Sequence, residues 1–202
     1  MSFSDIFETD DIDYAAMSDQ YARVVRDCLD HNRFATLVHR IGDTLNGQKH
    51  RFDKADILEQ AFAEYSSGRF VWVDGVGRDH EDCISGQHVE FKFGGKALYS
   101  STGRVVKESS FKLTNTQGTN EQSVLPNPAD YYVFASNTAM ALCHYEQLAP
   151  HVVYQGDGFK AKIPHGVLSF VYKPGEYSVL PRDTSNYISL KRNAQMELIN
   201  ST

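Results

Sequence analysis

The spacing of apolar residues changes once along this chain, at Gly68, and that change limits the folds open to it. Before Gly68, apolar residues recur with the period of amphipathic helices. After Gly68, short apolar runs are separated by Gly, Pro and Asn turns, which is typical of strands. This order predicts a mixed domain, α/β or α+β.

Three helices are predicted before Gly68. The first begins near Ser18, the second covers residues 34–41, and the third follows Asp53 as its N-cap. Residues 94–130 are rich in Gly, Ser, Thr and Asn and are predicted as a loop region with short strands. A short helix is predicted from Asn137 to Leu148, and strands are predicted over residues 69–73, 79–84, 87–93, 131–135, 159–163, 167–172 and 177–180.

The composition is that of an ordinary globular domain. The 202 residues are 41% apolar and 23% charged, which excludes disordered and fibrous chains. No apolar run approaches the ~20 residues of a membrane-spanning helix. The N-terminus lacks the pattern of a signal peptide, so we expect a cytoplasmic protein with no membrane partner. The three cysteines are widely spread, which argues against a disulfide framework or a structural zinc site.

The net charge of −6 comes from one end of the chain. Residues 1–20 hold six acids and no Lys or Arg, and the rest of the chain carries 20 acids and 20 bases. A protein that coats nucleic acid through charge alone is usually more basic than this. The balance therefore disfavours non-specific coating and leaves open a protein that holds DNA in one cleft.

The most informative segment is residues 77–92, which ends in Glu90-Phe91-Lys92. Residues two apart in a strand point to the same face, so Glu90 and Lys92 share one face and Phe91 lies on the other. The Gly-containing pair Ser85-Gly86 predicts that a hairpin turn precedes them.

A two-residue turn at Ser85-Gly86 pairs Glu81 with Glu90 and Asp79 with Lys92. The hairpin is then amphipathic, with one polar and one apolar face. The polar face holds Asp79, Glu81, His88, Glu90 and Lys92, and the apolar face holds Ile84, Val89, Phe91 and Phe93.

Carboxylates held this close repel one another unless a cation neutralises them, and oxygen ligands are those that Mg²⁺ prefers. A lysine beside them suits the stabilisation of developing negative charge. This set is the minimum for metal-assisted hydrolysis of a phosphodiester. An odd-length loop would bring Asp82 opposite Glu90, so Asp82 is the alternative to Asp79. The simpler alternative is an ordinary ion pair between Glu90 and Lys92 on a solvated strand.

The run Asp79-x-x-Asp82, followed by Gly86-Gln87-x-x-Glu90-x-Lys92, resembles the PD-(D/E)xK nuclease superfamily, and within it the compact type II restriction endonucleases. The resemblance covers roughly residues 53–136. The sequence departs from the family where a proline often precedes the aspartate, because Arg78 stands there. The resemblance implies a restriction-endonuclease-like core, with a central mixed β-sheet flanked by helices.

The resemblance also implies roles for these residues. Asp79 and Glu90 would bind Mg²⁺ together with the backbone carbonyl of Phe91, and Lys92 would position the attacking water. Some relatives place a glutamate on the helix before the first strand, and Glu59 or Glu64 would be that rim acid here.

A polar run follows the hairpin, where restriction enzymes often place DNA-contacting segments. Asn and Gln side chains can pair with adenine, and Thr and Lys can hold phosphates. A hydrophilic loop without a partner is the alternative. The candidate DNA-binding residues are Lys112, Thr114, Asn115, Thr116, Gln117 and Asn120.

We therefore expect a Mg²⁺-dependent type II restriction endonuclease that cuts double-stranded DNA at a short specific sequence and leaves 5′-phosphate ends. A homodimer would match a palindromic site. No nucleotide-binding loop is present, so no nucleotide cofactor is expected. The alternatives are a structure-specific or repair nuclease on the same fold and a non-catalytic DNA-binding module.

A single nuclease domain over residues 1–202 is predicted, because no repeat or linker divides the chain. Its predicted parts are an acidic arm (1–17), a helical region that is the candidate dimer interface (18–52), the catalytic core (53–136) and C-terminal strands with candidate DNA contacts (137–202).

Overall fold

A computed structural model describes residues 12–44, 51–75, 78–94, 98–99, 104, 106–114, 128–154 and 158–180. The described helices are α1 (Tyr14–Cys28), α2 (His31–Thr44), α3 (Arg51–Glu64) and α4 (Tyr145–Leu148). The described strands are β1 (Phe70–Gly75), β2 (Arg78–Asp82), β3 (His88–Phe93), β4 (Glu108–Thr114), β5 (Tyr131–Ala135), β6 (Met140–His144), β7 (Val152–Tyr154), β8 (Phe159–Pro164) and β9 (Ser169–Tyr172). The predicted mixed α+β class is confirmed.

The strands form two sheets. The larger has six strands in the order β1-β2-β3-β5-β6-β9, and the smaller has three in the order β4-β8-β7. The pair β3–β5 is parallel, and the neighbouring pairs of the large sheet are antiparallel, so this sheet is mixed as predicted. The small sheet is antiparallel throughout.

Two apolar layers hold the sheets and helices together. In the first, residues of α1, α2 and α3 pack on one face of the large sheet, against Val89, Phe91 and Val133. In the second, the small sheet packs over the opposite face of β5 and β6, against Tyr132 and Phe134. The three long helices therefore flank one face of the large sheet, and a second sheet covers part of the other.

The N-terminal helices belong to the same core as the sheet. The amide of Ala16 donates to the Asp13 carboxylate over 2.9 Å and so caps α1, which begins within the segment predicted as an acidic arm. Val25 and Phe34 are fully buried against the sheet. Helix α3 begins at Arg51, so the prediction of Asp53 as its N-cap was wrong. None of the described helices is long and apolar enough to cross a membrane.

The helix predicted from Asn137 to Leu148 was wrong over most of its length. Ser136 Oγ accepts from the amide of Ala139 over 3.1 Å and stabilises a tight turn, after which β6 pairs antiparallel with β5. Only Tyr145–Leu148 is helical. A short apolar run cannot be assigned to a buried strand or a buried helix from its periodicity alone, and here tertiary pairing decides.

The strand predicted over residues 177–180 was also wrong. The amide of Ser178 donates to Asn32 Oδ1, and the amide of Leu180 donates to Thr36 Oγ1, both over 2.7 Å. This segment therefore satisfies its backbone with side chains of α2 instead of a neighbouring strand.

The β2–β3 hairpin has a longer turn than predicted. Its register pairs His80 with Val89 and Glu81 with His88, two residues away from the predicted register. A shift of two keeps every strand residue on its predicted face, whereas a shift of one would reverse them all. Ile84, predicted on the apolar face, lies in the turn and is 75% exposed.

Asp82 anchors this turn to the rest of the fold. Its side chain is fully buried and forms an ion pair with Arg69. Asp82 Oδ2 also accepts from the Tyr21 hydroxyl of α1 over 3.0 Å, and Oδ1 accepts from the amide of Ile84 over 2.9 Å. Burial alone would raise the pKa of Asp82, but the hydrogen bonds from Arg69, Ile84 and Ser85 outweigh it and lower that pKa.

Replacing Asp82 with Ala is expected to destabilise the protein by about 3 kcal/mol, because Arg69 and Tyr21 would lose their partner at a buried position. Urea unfolding followed by circular dichroism measures this loss. Ile84→Ala in the same turn is the control and is expected to change stability by less than about 0.5 kcal/mol. Equal stabilities of the two variants would contradict the anchoring role.

Candidate active site

Three charged side chains meet on the face of β2 and β3 that points away from the helices. Continuing the hairpin register by one residue from the pair His80–Val89 places Asp79 beside Glu90. Lys92 follows two residues later on the same face. The structure thus brings Asp79, Glu90 and Lys92 together.

Hydrogen bonds and ion pairs hold this cluster in place. Lys92 Nζ lies 3.8 Å from Asp79 Oδ2 and forms an ion pair with Glu90 Oε1. Asp79 Oδ2 also accepts from the backbone amide of Phe91 over 2.8 Å. The ammonium group therefore bridges both carboxylates, and the β3 backbone fixes one of them.

Glu90 is buried and incompletely satisfied. The residue is 4% exposed, and its Oε2 atom has no hydrogen-bond partner. Burial, and then the charge of Asp79, raise the pKa of Glu90 to about 7 against the opposing effect of Lys92. A buried carboxylate oxygen without a partner is a group that a bound cation would satisfy.

Lys92 is held in its charged form. Burial alone would lower the pKa of Lys92, but the carboxylates of Glu90 and Asp79 outweigh burial and raise it. At neutral pH the side chain is therefore an ammonium ion, able to attract an anion or orient a water molecule but not to accept a proton.

Helix α3 brings a third carboxyl group, that of Glu59, near the cluster. Burial, and next the charge of Asp79, raise the pKa of Glu59 to about 8. His80 Nε2 lies 2.7 Å from the Glu59 carbonyl and connects this turn of α3 to β2. Burial lowers the pKa of His80 to about 4, so its ring is neutral and donates a hydrogen bond. Glu64 lies exposed at the end of α3.

Asp82, the alternative acid, lies elsewhere. Alternation along β2 places it on the opposite face from Asp79, and its oxygens are engaged with Arg69, Tyr21 and the turn amides. Of the two alternative acids, Asp79 is therefore the one that lies beside Lys92, at 3.8 Å.

Tyr132 is a residue of this site that sequence reasoning missed. The parallel register of β3 and β5 pairs it with Glu90 on the same face. Burial, and next the charge of Glu90, raise the pKa of its hydroxyl. The run Tyr131–Ala135 predicts a buried strand but carries no signal of which strand lies beside it.

The predicted DNA-binding residues are only partly described. Lys112 is exposed on β4, and Thr114 is the last residue of that strand. Asn115, Thr116, Gln117 and Asn120 lie outside the described residues.

The predicted metal ligands are two carboxylates, Asp79 and Glu90, and the backbone carbonyl of Phe91. In the described part of the chain, no group of three or more His, Cys, Asp and Glu side chains is placed so that it could hold a metal ion. The predicted set has only two ligating side chains, together with one backbone carbonyl. Mg²⁺ often keeps several water molecules and binds substrate phosphate, so these would fill its remaining coordination positions. The unpartnered Glu90 oxygen and the raised pKa values of Glu59 and Glu90 fit a cation at this place.

Comparison with protein-family models, with curated proteins and with solved structures gave no match for this chain.

The raised pKa of Glu59 predicts a pH dependence of stability. Because its pKa is higher in the folded chain than in the unfolded one, folding favours the protonated form, and stability falls as the pH rises from 4.5 towards about 8. Glu59→Gln is expected to remove part of this fall, by on the order of 1 kcal/mol. Chemical denaturation at both ends of this pH range measures the difference.

Glu64→Gln, an exposed substitution at the end of the same helix, is the matched control. It is expected to follow the pH profile of the unaltered protein. If Glu59→Gln also follows that profile, the carboxyl of Glu59 is not held near Asp79.

Proposed function

We propose that this chain is a Mg²⁺-dependent type II restriction endonuclease, built on a restriction-endonuclease-like core, that hydrolyses double-stranded DNA at a short specific sequence. The observation that carries the proposal is the cluster of Asp79, Glu90 and Lys92 on one face of a β-hairpin. Two facing carboxylates and a half-buried ammonium ion match the residues needed for metal-assisted phosphodiester hydrolysis. The position of Glu59 beside them adds support.

Asp79, Glu90 and the carbonyl of Phe91 would hold the metal. Bound there, Mg²⁺ would neutralise phosphate charge and lower the pKa of a coordinated water. Lys92, kept protonated by its carboxylate neighbours, attracts a phosphate oxygen and orients the attacking water. In-line attack at phosphorus would leave a 5′-phosphate and a 3′-hydroxyl.

We further propose that the enzyme is a cytoplasmic homodimer. Cleavage of both strands of a palindromic site needs two active centres related by a twofold axis. Helix α1 buries one side against the large sheet and leaves exposed side chains on the other, among them Asp27 and Arg23. This outer side of the helical region is the candidate dimer interface.

Substitution of the clustered residues tests the assignment. Glu90→Ala, Lys92→Ala and Asp79→Ala are each expected to lower the cleavage rate by at least about 10²-fold, because each removes a metal ligand or the charge facing the phosphate. DNA binding in EDTA is expected to survive. Agarose-gel cleavage assays and fluorescence anisotropy measure the two properties separately.

Glu81→Ala is the matched control, since Glu81 is an exposed acid on the same face of β2. In the observed register Glu81 lies opposite His88, so cleavage should continue at the normal rate. Loss of cleavage in Glu81→Ala, with normal cleavage in Asp79→Ala, would favour the shorter turn predicted from the sequence. It would contradict the assignment of Asp79 as the acid that acts with Glu90.

The activity itself is tested by incubating the purified chain with phage and plasmid DNA, with Mg²⁺ or with EDTA. Discrete fragments with Mg²⁺ alone are expected. A smear would mean a nuclease without sequence specificity, and cleavage of branched DNA alone would mean a structure-specific nuclease. If the DNA stays intact under every condition and the chain binds DNA equally well with and without Mg²⁺, the protein is a non-catalytic DNA-binding module.

A further inference from the structure

The outer face of the small sheet gathers three lysines that are far apart in the sequence. Lys112 of β4 lies directly opposite Lys160 of β8. Lys162 lies two residues beyond Lys160, and alternating burial along β8 places both on the outer face. We call these three residues the lysine face.

The charge of this surface is opposite to that of the whole chain. Among the described strand residues that share this side, the charged ones are Glu108 and the three lysines. Their sum is +2, whereas the chain carries −6. Like charges directly opposite each other on a sheet are destabilising. A bound polyanion would relieve this repulsion, so the arrangement is typical of a surface that binds one.

Strand β4, which carries Lys112 of the lysine face, lies next to a strand of the candidate active site. Strand β4 is an edge strand of the small sheet and contacts β3, which carries Glu90 and Lys92. A long anion bound along the hairpin face would therefore come close to β4. Among the described strand residues on this side, the large apolar one that is exposed is Val153, at 40% exposure.

We propose that the lysine face binds the phosphate backbone of double-stranded DNA, independently of sequence, and holds DNA that extends beyond the active site. The inference rests on the proposed function, because it takes the substrate to be DNA. Contacts of this kind add affinity without base specificity, and they are screened by salt.

The test measures DNA affinity against salt concentration for the double variant Lys160→Gln and Lys162→Gln. A random-sequence DNA duplex with a fluorescent label, in EDTA, is the probe. Each phosphate contact contributes about −0.9 to the slope of log K against log salt. The slope of the double variant is therefore expected to be smaller in magnitude by about 1.8.

The control removes the same charge elsewhere. Arg104→Gln with Lys173→Gln replaces two exposed cations that lie outside both the small sheet and the candidate dimer interface, and its slope is expected to match that of the unaltered protein. Thermal unfolding of both double variants checks the fold. The lysine-face variant is expected to melt no lower than the unaltered protein, because a like-charge pair has been relieved.

An unchanged slope in the lysine-face variant, or equal losses in both variants, would overturn the inference, as would an unaltered protein that binds no duplex. Cleavage in Mg²⁺ is scored separately. Normal cleavage with an unchanged slope would reject the lysine face and leave the nuclease proposal intact. A reduced slope in a protein that never cleaves DNA would support the lysine face and reject the nuclease.

Discussion

Strand β3 carries opposite chemistry on its two faces, and the packing of the domain depends on keeping them apart. Val89 and Phe91 enter the apolar layer beneath the helices. Glu90 and Lys92 lie on the other face, next to the part of the sheet that β4, β8 and β7 cover. Parallel pairing with β5 extends both layers across the sheet, because alternate residues of β5 enter the two clusters. A slip of one residue would bury both charged groups in the helix core.

The charged face is electrostatically unfavourable in the folded chain. Glu90 is buried without a partner for one oxygen, and the pKa values of Glu90 and Glu59 are raised towards or above neutral. Lys92 offsets part of the repulsion by pairing with both hairpin carboxylates. Such unfavourable groups are typical of functional sites, where affinity for a ligand is gained at the expense of stability. In the Asp82 cluster, by contrast, both carboxylate oxygens accept hydrogen bonds, and the cluster anchors the turn.

Some of this arrangement could be predicted from local patterns. The strand over residues 131–135 and the hairpin strands follow from short apolar runs and Gly turns, and they lie within a few residues of their predicted positions. Strand β6 could not be predicted, because its apolar run fits a helix equally well and only its pairing with β5 decides. The segment 177–180 looked extended, yet its hydrogen bonds go to helix side chains from a distant part of the chain.

The sequence by itself determined that Glu90 and Lys92 share a face, and that Asp79 joins them for any even-length turn, because side-chain alternation is a local property of a strand. Only the tertiary structure decided that the turn has four residues and that Asp82 forms an ion pair with Arg69, away from the site. It also decided that Glu59 of α3 lies near the charges of the site. It also placed Lys112 opposite Lys160. Register and the approach of separate elements depend on the packing of the whole core, which no local pattern records.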